Sequence, residues 1–200
     1  SSEMREVFAL AEQTKKETNG YFDIRRPDGA WDPSGIVKGW AIKNAAELIR
    51  RGHIHLEAEP PSGYVRQENY FLNVGGDIAS RGKNSEGKEW SVGIRNPFNT
   101  NEIIKVVYPR GKGIATSGSY IRGAHIYNPL ASDQELKEVI SITVIGPDVF
   151  QADRFATATF AMGKVGIDFI EQLSGFEGYA IDTSGIATMT SNFNAFCGPK

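Results

Sequence analysis

Four short segments of the 200-residue chain combine residue types that could do chemistry. In Ala152-Asp153-Arg154-Phe155-Ala156-Thr157-Ala158 an acid and a hydroxyl stand four residues apart. On a helix that spacing puts both oxygens on one face, one turn apart. A hard cation such as Mg²⁺ prefers such oxygen donors, shared with substrate phosphates. The same residues also read as an N-cap aspartate followed by a threonine inside the helix. Asp32-Pro33-Ser34-Gly35-Ile36-Val37-Lys38-Gly39-Trp40-Ala41 places an acid, a Gly-containing turn and a lysine where a helix begins. Free backbone N–H groups there favour anions, although a capped helix with a surface lysine has the same composition. Asn73-Val74-Gly75-Gly76-Asp77 follows a strand-like run. Paired glycines let a ligand approach the backbone, and Asp77 can accept from a sugar, an amide or a ring N–H; a plain hairpin turn is the alternative. Lastly, Ala115-Thr116-Ser117-Gly118 leads through Arg122-Gly123-Ala124 to His125-Ile126-Tyr127-Asn128-Pro129. Imidazole is the usual general base near neutral pH, while a lone histidine is more often structural.

Two further patterns carry less. Gly82-Lys83-Asn84-Ser85-Glu86-Gly87-Lys88-Glu89 nearly spells a phosphate-binding P-loop. Glu89 stands where a Ser or Thr must reach Mg²⁺, and Trp90 to Ile94 reads as a strand where the motif needs a helix, so a polar hairpin loop is expected. His53 and His55 could share a strand face and a metal, but no third ligand is suggested nearby, which favours a surface pair. A single cysteine, Cys197, rules out an internal disulfide and a Cys-based zinc site.

The elements that must position these residues follow from periodicity. Met4, Val7, Phe8, Ala11 and Thr14 predict a helix over Ser2 to Thr18, stopped by Asn19-Gly20. Val37, Ala41, Ala45, Leu48 and Ile49 predict a second, closed by Arg50-Arg51-Gly52. A third spans Ala152 to Leu173, with Phe155, Thr159, Met162 and Gly163 on one face. Strands are expected at Tyr70–Val74, Trp90–Ile94, Ile103–Tyr108, Gly113–Thr116, Ala124–Tyr127, Ile140–Ile145, Gly178–Asp182 and Ile186–Thr190. Helices mixed with mainly sequential strands point to a single α+β domain, with a mixed, largely antiparallel sheet packed with helices. The 22 basic against 24 acidic residues leave a formal charge of -2, which argues against a strongly basic nucleic-acid binder. With 40% hydrophobic and 23% charged residues the composition is that of an ordinary soluble globular chain. No apolar run approaches the ~20 residues of a membrane helix, and no targeting segment opens the chain.

Taken in order, the segments resemble the flavin transferase family of the ApbE type, the FAD:protein FMN transferases. The matches are Gly35-Ile36-Val37-Lys38-Gly39-Trp40-Ala41, Asn73-Val74-Gly75-Gly76-Asp77-Ile78, Thr116-Ser117-Gly118, His125 to Pro129, Ser141-Ile142-Thr143-Val144, and Ala152-Asp153 with Ala156-Thr157-Ala158. They run in register from about Val7 to Ala180, and Trp31 to Ala41 looks like the variant of short, actinobacterial-type members. The resemblance implies an ApbE/T-fold-like sheet and a Mg²⁺ held by the Asp153 and Thr157 side chains and the Gly35 carbonyl. It implies FAD contacts from Asp32 and Lys38, flavin-lining turns at Asn73, Gly75, Gly76, Asp77, Thr116, Ser117 and Gly118 with Ile126 beside them, and His125 as base.

The implied reaction is Mg²⁺-dependent transfer of FMN from FAD to a Ser or Thr of an acceptor flavoprotein, releasing AMP. An FAD pyrophosphatase using water at the same site, or a non-catalytic FAD-binding protein, are the alternatives. Asn128 stands where the family commonly has Asp, and Ala131-Ser132 where it has Thr-Gly. Members usually carry a further N-terminal segment, and this chain is expected to begin after it; many are exported. Asp182-Thr183-Ser184-Gly185-Ile186-Ala187-Thr188 faintly echoes the acceptor motif, with its spacing off by one residue at two places.

Overall fold

The computed structural model describes residues 1–52, 67–119, 126–131, 136 and 138–198. Helix α1 (Ser2–Glu17) starts where the Ser1 hydroxyl accepts from the Met4 N–H. It buries Val7, Ala11 and Thr14, and the backbone turns left-handed at Asn19 and Gly20 (φ 51° and 87°). Helix α2 (Ser34–Arg50) does not bury the expected stripe. Its inward face is Ile36, Gly39, Ile42 and Ala46, while Ala41 and Leu48 are exposed. The small residues face the neighbouring helix because only they permit the close crossing described below.

That neighbour, α3 (Val149–Met162), begins earlier than Ala152, where the Asp148 side chain accepts from the Gln151 N–H. Asp148 is thus the N-cap, and Asp153 lies inside the helix. The expected continuous helix to Leu173 is broken at Gly163, whose φ of 69° no helical residue can hold. A 3₁₀ turn (Gly163–Val165) and the short α4 (Gly166–Glu171) follow. Among the described residues no helix is long and apolar enough to cross a membrane.

The strands are β1 (Tyr70–Val74), β2 (Asp77–Arg81), β3 (Val92–Asn96), β4 (Asn99–Val107), β5 (Gly113–Gly118), β6 (Val139–Gly146), β7 (Glu177–Asp182) and β8 (Ala187–Met189). Six of them form one antiparallel sheet in the order β1-β2-β5-β6-β7-β8, and β3 pairs with β4 in a separate ribbon. The α+β class and the antiparallel sheet are therefore as expected. Alternation along the strands sends Ala115, Ile142, Val144 and Ala180 toward Phe155, Ala156 and Phe160 of α3. Ile114, Ile145, Tyr179 and Ile181 face the other way, onto Val92, Ile94, Val107 and Phe193. Helices, sheet and ribbon so form three layers, each buried Ile or Phe contributing on the order of 2 kcal/mol.

Strand β2 is the element that periodicity did not reveal. It follows a two-residue turn in which Gly75 and Gly76 both have positive φ (62° and 96°), the geometry of a tight hairpin. Val74 pairs with Asp77 across it, which makes Asp77 the first residue of a buried strand. Gly82 to Glu89 is the polar loop expected: Lys83 bridges to Glu89, and the Asn84 side chain accepts from the Glu86 and Lys88 N–H groups. Of the strand expected at Ala124–Tyr127, Ile126 and Tyr127 are not in a strand, and Ala124 and His125 lie outside the described residues, as do His53 and His55.

Candidate functional site

The site is built at the crossing of α2 and α3. Gly35 and Gly39 stand one turn apart on α2, and Asp153 and Thr157 one turn apart on α3. A Cβ at Gly39 would lie 2.7 Å from Asp153 Cβ and 3.0 Å from the Phe150 Cα, and one at Gly35 would lie 2.9 Å from Thr157 Cγ2. Two glycines therefore let the backbone of one helix touch the side chains of the other. The Gly39 N–H donates to Asp153 Oδ2 at 2.8 Å, and the Thr157 hydroxyl donates to the Gly35 carbonyl at 3.4 Å. From the sheet, the Ser117 hydroxyl comes within 3.5 Å of Thr157 Oγ1.

Electrostatics mark the same spot. Asp153 is 3% exposed, and Asp77 is fully buried beside it. Burial, and then the proximity of Asp77, push the Asp153 carboxyl up to about 8; Lys38 and the Gly39 N–H pull the other way. Burial likewise raises Asp77, opposed by Lys38. The Lys38 ammonium sits 2.8 Å from Asp77 Oδ2 and 3.7 Å from Asp153 Oδ1. Two carboxylates facing one ammonium leave a buried deficit of positive charge.

A divalent cation fits that deficit. The donors gathered are a carboxylate, a hydroxyl and a backbone carbonyl, all hard oxygens, and few enough to leave room for water and phosphate as Mg²⁺ prefers. Among the described residues no group of three His, Cys, Asp or Glu side chains gathers anywhere, so the trio offers a cation one carboxylate beside a hydroxyl and a carbonyl.

A cleft opens above this trio. Of the residues singled out from sequence, Asp32, Gly35, Lys38, Gly75, Thr116, Ser117, Gly118, Ile126, Asp153 and Thr157 line it. Asn73, Gly76 and Asp77 do not. Asn73 is exposed, and its side chain accepts from the Gly76 N–H at 3.1 Å, which holds the hairpin turn. Asp77 lies off the lining, fully buried beside Asp153 and 2.8 Å from the Lys38 ammonium. His125 lies outside the described residues, immediately before Ile126 and Tyr127 of the lining.

Aromatic walls escaped sequence reasoning. Tyr21, Phe22 and Tyr127 line the cleft with Asp23 and Pro129. The Tyr127 hydroxyl donates to the Asp23 carbonyl at 2.8 Å, tying the two walls together. Tyr127 belongs to the His125–Pro129 segment and was within reach of it; Tyr21 and Phe22 sit in a turn-rich connection with no signal of their own. Thr116 meets Thr143 across the β5–β6 ladder at 2.9 Å between hydroxyls, which steadies the strand that carries Ser117.

An antiparallel sheet backed by crossed helices, with a glycine- and hydroxyl-lined cleft over an oxygen trio, defines an α+β protein with a polar cleft. The same fold occurs in the ApbE protein of Thermotoga maritima (TM-score 0.81, 20% identity, 99% of this chain and 79% of that one). It also occurs in the flavin transferase ApbE of Vibrio cholerae (TM-score 0.79, 23% identity, 98% of this chain and 77% of that one). The pattern of the ApbE family matches residues 25–180, and the chain belongs to that family. The FAD:protein FMN transferase of Klebsiella pneumoniae (strain 342) is 30% identical over 168 residues, 80% of this chain and 44% of that protein. That of Escherichia coli (strain K12) is 30% identical over 174 residues, 82% of this chain and 46% of that protein. The chain thus spans somewhat less than half the length of these curated relatives.

Proposed function

We propose that this chain transfers FMN from FAD to a serine or threonine of an acceptor flavoprotein, with Mg²⁺ as cofactor and AMP as the second product. The observation that carries the reading is the Gly35, Asp153 and Thr157 oxygen trio at the floor of the cleft. The names of the relatives supply the reaction class. Held by that trio, Mg²⁺ would neutralise the pyrophosphate and stabilise the charge that develops on the departing phosphate. Lys38 adds a fixed cation to the same floor, and Asp32 stands at the α2 end of the cleft. Gly75, Thr116, Ser117, Gly118 and Ile126 offer backbone and small side chains to the flavin half. His125, whose two following residues line the cleft, takes the proton of the acceptor hydroxyl. The freed oxygen attacks the FMN phosphorus, the bond from that phosphorus to the bridging oxygen breaks, and AMP leaves with that oxygen.

The test is incubation of the protein with FAD and MgCl₂, with and without an acceptor peptide, read by mass spectrometry. The expected result is an FMN adduct on the peptide with an equal amount of AMP, lost on chelation and in Asp153→Ala. Free FMN and AMP formed without acceptor would replace transfer by pyrophosphate hydrolysis. Bound FAD that never yields AMP would leave a flavin-binding protein.

A further inference from the structure

The sequence resemblance groups Asp77 with the ligand contacts, whereas the structure sets it off the cleft lining. It is fully buried, absent from the cleft lining, and pinned at the first position of β2 by the Gly75-Gly76 hairpin. Neither of its carboxylate oxygens has a well-aligned hydrogen bond, so the Lys38 ammonium at 2.8 Å is its main compensation. A buried carboxylate held this way is costly unless it serves a neighbour.

We propose that Asp77 is a positioning residue that takes up the Lys38 charge and thereby leaves Asp153 as an uncommitted carboxylate for a divalent cation. The inference rests on the cation reading of the Gly35, Asp153 and Thr157 trio. Its core is a charge count over three side chains. With Asp77 present, Lys38 is paired closely with Asp77 and more loosely with Asp153, at 2.8 Å against 3.7 Å. The Asp77–Lys38 pair is neutral, and the Asp153 oxygens, with no ammonium in close contact, remain open to the cation. Without Asp77, the ammonium need move by only about 1 Å to close a full ion pair with Asp153. The cation would then meet a neutral pair. The sheet so acts on the helix crossing through Lys38, beside the direct approach of Asp77 to Asp153. Asp153 is held from the opposite side by the Gly39 N–H, and it stays in place while Lys38 is drawn off it.

The experiment titrates MgCl₂ alone into the wild type, Asp77→Asn, Lys38→Met and the double variant, reading the Mg²⁺ dependence of thermal unfolding. Asp77→Asn should weaken Mg²⁺ by ~10-fold or more, the usual effect of losing a residue that orients a ligand. Lys38→Met should bind Mg²⁺ no more weakly than the wild type. The double variant, in which Asp153 is again an unpaired carboxylate, should return to within ~3-fold of the wild type. A residue that merely supports the fold would not be rescued by removing its partner. Unchanged binding in Asp77→Asn, or a double variant as weak as that single one, overturns the role of Asp77 alone. A wild type that shows no response to Mg²⁺ overturns the cation reading itself. Should Asp77→Asn fail to fold, Lys38→Met and the double variant decide by the same criteria.

Discussion

Gly39→Ala adds one methyl group at the tightest point of the α2–α3 crossing, and the structure fixes what it meets. The new Cβ would lie 2.7 Å from Asp153 Cβ, 2.9 Å from Asp153 Oδ2 and 3.0 Å from the Phe150 Cα. Ordinary contact begins at about 3.4 Å, and a backbone Cα has no rotamer to retreat into. The helices must part, and the 2.8 Å bond from the Gly39 N–H to Asp153 goes with them. Overpacking costs about 1–3 kcal/mol. Leaving the buried carboxyl oxygen without its partner costs about 1–3 kcal/mol. The better helix propensity of alanine returns about 1 kcal/mol. The net loss is about 3 kcal/mol, which for a chain of this size lowers Tm by about 6–12 °C. Circular-dichroism melts measure it, and the same samples titrated with MgCl₂ should show weakened binding. Gly35→Ala should cost less, because its close neighbours are the Thr157 side chain and the Phe22 ring, with no backbone atom among them. A Gly39→Ala protein that melts at or above the wild-type temperature would refute the close-crossing argument, since propensity alone predicts that outcome.

The remaining predictions use other parts of the site. Asp153 has its folded-state pKa raised from an ordinary 3.8 to about 8, by burial first and Asp77 second. Its protonated form therefore favours the fold, a contribution complete at low pH and lost as pH climbs toward 8. Metal-free Asp153→Asn should gain Tm relative to wild type between pH 5 and about 8.5, and Mg²⁺ should stabilise the wild type most at the alkaline end; parallel melting curves would exclude this. His125→Ala should bind FAD normally by flavin fluorescence yet transfer FMN ~10²-fold more slowly or worse, and an unaffected rate assigns the base elsewhere. Gly163→Ala places a side chain at φ 69° with its Cβ 2.5 Å from Glu138 Oε2. It should cost about 1–2 kcal/mol, or about 4 °C in Tm.

Elements decided by local rules were legible before the fold was known. The α1 stripe of Val7, Ala11 and Thr14 and the Asn19-Gly20 stop are helical period and backbone sterics, and β1 falls at Tyr70–Val74 as expected. The α2 face was not legible, since Ile36, Ile42 and Ala46 form a stripe as apolar as the one expected. Its neighbour chose between them by how closely it needed to approach. Arg154 gives the same lesson: it is buried between Glu17 and Thr14 of α1 and the rings of Phe150 and Phe155, which no local pattern announces.

At the site, local order alone specified which atoms were on offer. An acid and a hydroxyl four apart on a helix share a face, and Gly75-Gly76 allows a turn that other residues resist, whatever surrounds them. Those constraints act within a few residues, so they can be read along the chain. What the offered atoms do was settled only in three dimensions. Gly39 and Asp153 are 114 residues apart, and their 2.8 Å contact exists because two helices cross where Gly39 carries no Cβ. Asp77 reads along the chain as part of a turn, and the structure buries it as the first residue of a strand, 2.8 Å from the Lys38 ammonium. Burial and charge depend on everything within several ångströms, and the sequence places those neighbours far apart.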